Sequence, residues 1–162
     1  MSMTLDSLAR SCKNVLAADD TPAGRTRVAS LLSEALKDPA FVREVFARPV
    51  GERKIAYEDA DLGFCILAHE YDHARGEGEP HDHGPSWAIY GQAEGVSVMS
   101  VFELLGPGRV RKLHGEVMRP GDARVYNEGA IHAITHPGPA RLVRIEGQDL
   151  AKVRRGKYEV AV

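Results

Sequence analysis

The chain has 162 residues, a length that suits one domain of ordinary size. Hydrophobic residues make up 43% and charged residues 27%, a composition that supports a packed core and excludes a disordered or membrane-embedded chain. With 21 basic against 23 acidic residues the net charge is −2, so no global field favours nucleic acid or an anionic membrane as partner.

The first part of the chain reads as helical. Leu5, Leu8, Val15 and Leu16 recur at helical spacing, with Thr4 or Asp6 available as a cap. Residues 20–24 punctuate, and a second amphipathic helix carries Val28, Leu31, Leu32 and Leu36 before Pro39. A short third helix is expected over 41–46, stopped by Pro49. From residue 50 onward the pattern changes, and 15 of the 16 glycines fall there. They separate short runs with β-branched or aromatic content at 62–67, 87–90, 96–105, 110–117, 123–127, 131–135, 141–145 and 157–160. Strands of this length and spacing predict an antiparallel sandwich or barrel. The expectation is one domain over 1–162, with 1–48 as a helical cap on a β-barrel of residues 50–162.

Cys12 and Cys65 do not make a disulfide framework, and Cys65, within an apolar run, is expected to be a buried thiol. No basic region with a following apolar stretch opens the chain, and no segment approaches the roughly 18 apolar residues of a membrane span. The expected location is therefore the cytoplasm. The basic clusters 109–112 and 154–155 are short and read as solvated faces.

All seven histidines lie between residues 69 and 136. The sharpest feature is Pro80-His81-Asp82-His83-Gly84. On a strand, residues two apart share a face, so His81 and His83 present both imidazoles to one side. Imidazole suits Zn, Fe, Cu and Ni, and a third ligand must then come from elsewhere in the fold. The competing reading is a chance pair on an exposed loop.

Downstream come Trp87-Ala88-Ile89-Tyr90 and Glu94-Gly95, then Pro120-Gly121-Asp122, a strand over 123–127, and Gly129-Ala130-Ile131-His132. These segments resemble the two motifs of the cupin superfamily, with His81, His83 and Gly95 matching the first motif and Gly121, Gly129 and His132 the second. The resemblance covers residues ~50–150. It implies a mainly β fold, the cupin double-stranded β-helix or jelly-roll barrel, with two to three N-terminal helices as a cap. It implies His81, His83 and His132 as ligands of one metal ion.

Where most cupins carry an acidic ligand, this chain has Trp87-Ala88, leaving three neutral histidines. Such a set keeps the full cation charge and leaves coordination positions open for an anionic substrate and dioxygen. The segment from Pro80 to Tyr90 is similar to bacterial thiol dioxygenases, a family that includes cysteine dioxygenase. That likeness implies Fe(II), with Zn, Ni or Mn as alternatives, and a small anionic substrate together with O2. The family's late Ser-x-His-x-Tyr strand is not matched: Leu142, Arg144 and Glu146 stand in those places, and Ala88 stands where some members carry a cysteine linked to the tyrosine. The arginine that binds substrate carboxylate in the family falls near Arg53.

Other residues keep two readings. His69-Glu70-Tyr71-Asp72-His73 matches the zinc-protease string, but that chemistry needs a helix. On a strand the two histidines stand about 13 Å apart, and one of them could line the barrel mouth. His136 is either a group near the metal that holds water or substrate, or a surface turn residue. His114 is expected to be structural. Arg144 and Glu146 share a face, inward and functional or outward and ordinary, with Val143 and Ile145 favouring the outward phase. Trp87 and Tyr90 fill the core or wall the pocket. The candidate substrate-handling residues are Arg53, Arg144 and His136. A homodimer is a further expectation, since small barrels have edges to cover. A Zn- or Mn-dependent isomerase or hydrolase and a non-catalytic small-molecule-binding cupin are the alternative functions.

Overall fold

The computed structural model describes residues 3–162. Three helices come first. Helix α1 spans Leu5–Ala18, and Thr4 caps it by accepting from the Ser7 amide while the Ser7 hydroxyl accepts from the Thr4 amide. Helix α2 spans Pro22–Leu36 and α3 spans Pro39–Val45. The third helix starts two residues before its expected position because Pro39 suits a first helical turn and Asp38 accepts from the Ala40 amide.

Nine strands follow: β1 Lys54–Glu58, β2 Cys65–Tyr71, β3 Ala88–Glu94, β4 Ser97–Gly106, β5 Arg109–Met118, β6 Ala123–Tyr126, β7 Ile131–Thr135, β8 Ala140–Glu146 and β9 Glu159–Val160. They form a five-stranded sheet in the order β1-β2-β8-β3-β6 and a four-stranded sheet in the order β7-β4-β5-β9. The order interleaves early and late strands, a jelly-roll arrangement of two sheets preceded by a helical N-terminal region, as expected.

The five-stranded sheet is covered on both faces. On one, Ile66, Ala68, Trp87, Ile89, Val143 and Ile145 pack against Leu8, Val28, Leu32 and Phe41 of the helices. On the other, Ala88, Tyr90 and Leu142 pack inside the barrel with Met99, Met118 and Tyr126. This is why β2, β3 and β8 read as nearly continuous apolar runs rather than alternating ones. At Gly91 a Cβ would come within 2.6 Å of Leu36 and 2.8 Å of Leu32, so the missing side chain lets α2 close on β3. Arg25, 4% exposed, ties α2 to the loop after β6 through Asn127 and Glu128.

Several expectations change. Strand β1, an edge strand with mostly exposed residues, had no legible apolar pattern. The strand expected over 62–67 starts at Cys65 and runs to Tyr71, because residues 59–64 form a turn in which Asp59 accepts from the Leu62 amide. The last strand is only Glu159–Val160, and it pairs with β5 in parallel, so the barrel is not purely antiparallel. Cys12 and Cys65 are buried free thiols. No helix among the described residues is long and apolar enough to cross a membrane.

Candidate metal centre

The segment 80–84 does not form a regular strand. His81 makes isolated bridges with His132 and Lys157, and His83 lies in the loop that follows. The His81 amide donates to the His132 carbonyl and the His132 amide to the His81 carbonyl, both at 3.0 Å. This reciprocal pair holds the two histidine segments together, so the third ligand position follows from backbone pairing. Asp82 points away from the imidazoles. Its carboxylate accepts from the amides of Gly84 and Gly156 and from the Tyr158 hydroxyl. Burial opposes its ionisation, but these three donors outweigh burial and hold the carboxyl below its usual range. Gly84, at φ +60°, makes the turn after His83, and a Cβ there would meet the passing carbonyl of Arg154 at 2.7 Å.

His81, His83 and His132 offer ring nitrogens that all lie within 4.8 Å of one another. Nε2 of His83 and Nε2 of His132 are 2.9 Å apart, and both residues are fully buried. The His81 Nδ1 bonds to the Glu79 carbonyl at 3.0 Å, which fixes the proton there and leaves its Nε2 lone pair free. The Nδ1 atoms of His83 and His132 have no hydrogen-bond partner. Burial first, then the neighbouring imidazoles and Arg144, push His83 down to about 3 and His132 well below its ordinary value. Burial also lowers His81. Three neutral imidazoles with converging lone pairs suit a transition-metal cation, and among the described residues no Asp or Glu joins the group.

Tyr90 is the nearest polar neighbour. Its hydroxyl stands 3.5 Å from His83 Nε2 and 3.4 Å from His132 Nε2. Tyr126 stacks on the His132 ring at 4.4 Å and spends its hydroxyl on Glu116. Strand alternation places Ala88 and Tyr90 inside the barrel and Trp87 under the helices, so one aromatic fills the core and the other walls the site.

Arg144 and Glu146 face inward, correcting the outward phase that Val143 and Ile145 favoured; those two are apolar because they face the helices. The Arg144 guanidinium lies 4.4 Å over the Tyr90 ring, 3.6 Å from Glu146, and its Nε has no partner. Glu146 is fully buried and opposite Ala88 in the β3–β8 register. Arg53 is already engaged, at 3.1 Å from Glu146 and 2.6 Å from Asp149. A pocket of about 230 Å³ lies between Glu52, Arg53, His69, Tyr71, Arg144, Leu150, Ala151 and Arg155. A second, of about 760 Å³, runs from His81 along Arg154, Arg155 and Lys157, so Arg155 borders both. Arg154 and Arg155 are both exposed, as expected of a solvated pair, and both also line the larger pocket.

His69 and His136 are both buried, which corrects the surface-turn reading of His136, and His69 is the histidine of its string that lines a pocket. His69 Nδ1 bonds to the Glu52 carbonyl at 2.6 Å, its buried Nε2 has no partner, and the residue lines the smaller pocket. His73 is exposed, so the zinc-protease string does not converge. His136 bonds to the Ser97 hydroxyl at 2.9 Å and stacks on Tyr71 at 4.2 Å. His114 is exposed and pairs with Glu116. Sequence reasoning left Tyr90 between core and pocket wall and missed that its hydroxyl reaches the histidines; it also missed that Arg155 lines two pockets, which nothing local marked.

No protein-family model matches the chain, and no curated relative matches it. Solved structures resemble it at low identity. A cupin-2 domain protein from Shewanella frigidimarina is 14% identical at a TM-score of 0.45, covering 57% of this chain and 76% of that one. KdgF from Halomonas sp. is 16% identical at 0.47, covering 62% and 82%. An oxalate oxidase in complex with the substrate analogue glycolate is 19% identical at 0.46, covering 63% of this chain, which spans about half (53%) of the oxidase.

Proposed function

We propose that the chain is a metal-dependent oxidoreductase with His81, His83 and His132 as ligands of one ion, Fe(II) before Zn, Ni or Mn. In this reading it joins a small anionic substrate to dioxygen, as the resemblance to three-histidine thiol dioxygenases implies. One observation carries the reading: three imidazoles offer nitrogens within 4.8 Å of one another, and His81 of this set lines a pocket that it shares with Arg154, Arg155 and Lys157. When bound, the ion supplies open coordination positions and, for iron, redox chemistry toward oxygen.

The chain's own residues handle the substrate. Arg144 offers its unpaired Nε, and Arg155 stands at the junction of the two pockets without an ion pair among the described residues. A carboxylate held between them is oriented toward the histidines by arginine's planar fork. Arg53 serves Glu146 and so positions Arg144 rather than binding substrate. His136 supports Tyr71 at the pocket wall. His69, neutral through burial and the nearby Arg144 cation, presents Nε2 as an acceptor for a substrate N–H or thiol.

The test is metal analysis of the purified protein followed by oxygen-electrode assays on small thiol carboxylates. Iron-loaded protein is expected to consume oxygen and zinc-loaded protein to be inert. Turnover by the zinc form without oxygen would overturn the reading in favour of an isomerase or hydrolase. Binding without any turnover would make the chain a small-molecule-binding cupin.

A further inference from the structure

Tyr90 has a side chain whose polar end the proposed ligand set does not use. The residue is 1% exposed, and its hydroxyl has only two partners among the described residues, Nε2 of His83 and Nε2 of His132. Both atoms are the ones a metal would take. Once their lone pairs point at a cation, neither can accept from the phenol, and a buried hydroxyl left without a partner is destabilising. The group therefore needs a new partner in the loaded site, and the two nitrogens it now contacts belong to the proposed ligand set.

The distances agree. With metal–nitrogen and metal–oxygen bonds of roughly 2.0–2.2 Å, neighbouring ligand atoms stand about 2.9 Å apart at a right angle and about 3.4 Å apart at a tetrahedral one. His83 and His132 are separated by 2.9 Å, and the Tyr90 oxygen lies 3.4 and 3.5 Å from them. The side chain also reaches the site from the right strand. Residue 88, the inward position of β3 nearest the histidines in sequence, is alanine and carries no donor. Tyr90 is the next inward residue of β3, and its length returns an oxygen to the imidazoles.

We propose that the Tyr90 oxygen is a fourth protein ligand of the ion held by His81, His83 and His132, bound as phenolate. This rests on the metal-site reading above and deepens it. In forming the bond the phenol O–H breaks, the proton leaves to solvent, and the oxygen lone pair enters the metal's coordination sphere; nothing is oxidised or reduced. Burial opposes ionisation of this phenol, and the Arg144 guanidinium, 4.4 Å over the same ring, acts against that opposition. The anionic ligand that Ala88 does not provide is supplied two residues later. Tyr126 is not a competitor, because its hydroxyl is committed to Glu116.

Spectroscopy on the full chain tests this without reference to turnover. Protein loaded with iron and oxidised chemically with ferricyanide is expected to show the visible tyrosinate-to-iron(III) charge-transfer band, with phenolate modes in its resonance Raman spectrum. Tyr90→Phe should retain stoichiometric iron and lose the band, whereas Tyr126→Phe should keep it. Zinc-loaded wild type should show the ultraviolet difference spectrum of an ionised tyrosine, absent from Tyr90→Phe. Iron bound by wild type with no band and no phenolate modes would overturn Tyr90 ligation while leaving the three-histidine site standing. Failure of wild type to bind either ion would overturn both. If Tyr90→Phe does not fold, absence of phenolate modes from the wild-type Raman spectrum still overturns Tyr90 ligation.

Discussion

His81 and His132, 51 residues apart by their numbers, exchange both of their backbone hydrogen bonds at 3.0 Å. Each imidazole is thus carried by a main-chain pair rather than by side-chain contacts alone. The centre is consequently held before any cation arrives, and ligand loss should affect metal more than fold.

His132→Ala is expected to abolish stoichiometric metal binding, measured by elemental analysis after gel filtration. The wild-type melting temperature should rise with added Zn(II), since a ligand bound only by the folded state stabilises it by about 4 kcal/mol at 1,000 times its Kd. The variant should show no such rise. Retained tight binding would remove His132 from the ligand set.

Asp82→Ala should free the C-terminal segment. The carboxylate accepts from Gly84, Gly156 and Tyr158, and losing charge-assisted bonds of this kind costs about 1.5–3 kcal/mol. Hydrogen exchange is the direct measurement: the Gly156 amide should lose its protection, while amides of β2 and β8 exchange as before. Unchanged protection at Gly156 would show that the segment is held by other contacts.

Metal-free protein should lose stability as the pH falls from about 6.5 to about 4. Burial, with the cations of Arg144 and Arg75, lowers His136 from 6.5 to about 4. In that window the unfolded chain binds the proton and the folded chain does not, so stability rises with pH, by at most about 1.4 kcal/mol per pH unit for one group. His136→Asn should flatten the slope in urea melts. His69, His81, His83 and His132, also lowered, act with the same sign and keep much of the dependence in the variant. An equal slope in wild type and variant would contradict the assignment to His136.

Gly91→Ala should destabilise the fold by about 1–3 kcal/mol. The new Cβ would meet Leu36 and Leu32 at 2.6 and 2.8 Å, and the Val143 carbonyl at 3.0 Å. The leucine ends can turn aside, but the carbonyl belongs to the neighbouring strand. A melting temperature equal to wild type would mean that α2 shifts at no cost.

Much of the architecture was legible along the chain because local rules suffice for it. Capping residues, helical periodicity and the concentration of glycines after residue 50 separate three helices from a β-barrel, and the spacing of His81, His83 and His132 marks one candidate centre. The phase of β8 was not legible. Alternation reveals a strand's buried face only when the other face is wet, and Val143 and Ile145 are apolar because helices cover them. Arg144 and Glu146 therefore looked like solvent-facing residues when they line the interior.

The sequence by itself determined which donors exist, three neutral imidazoles and no acidic ligand at positions 87–88, since that is a matter of residue type and spacing. Only the tertiary structure decided what surrounds them: Arg144 over Tyr90, Arg155 at the junction of two pockets, and a phenol oxygen directed at His83 and His132. The reason is physical. Ligand identity is carried by the residue itself, whereas orientation and distance arise from a strand register and a layer of helices contributed by segments far away in the chain.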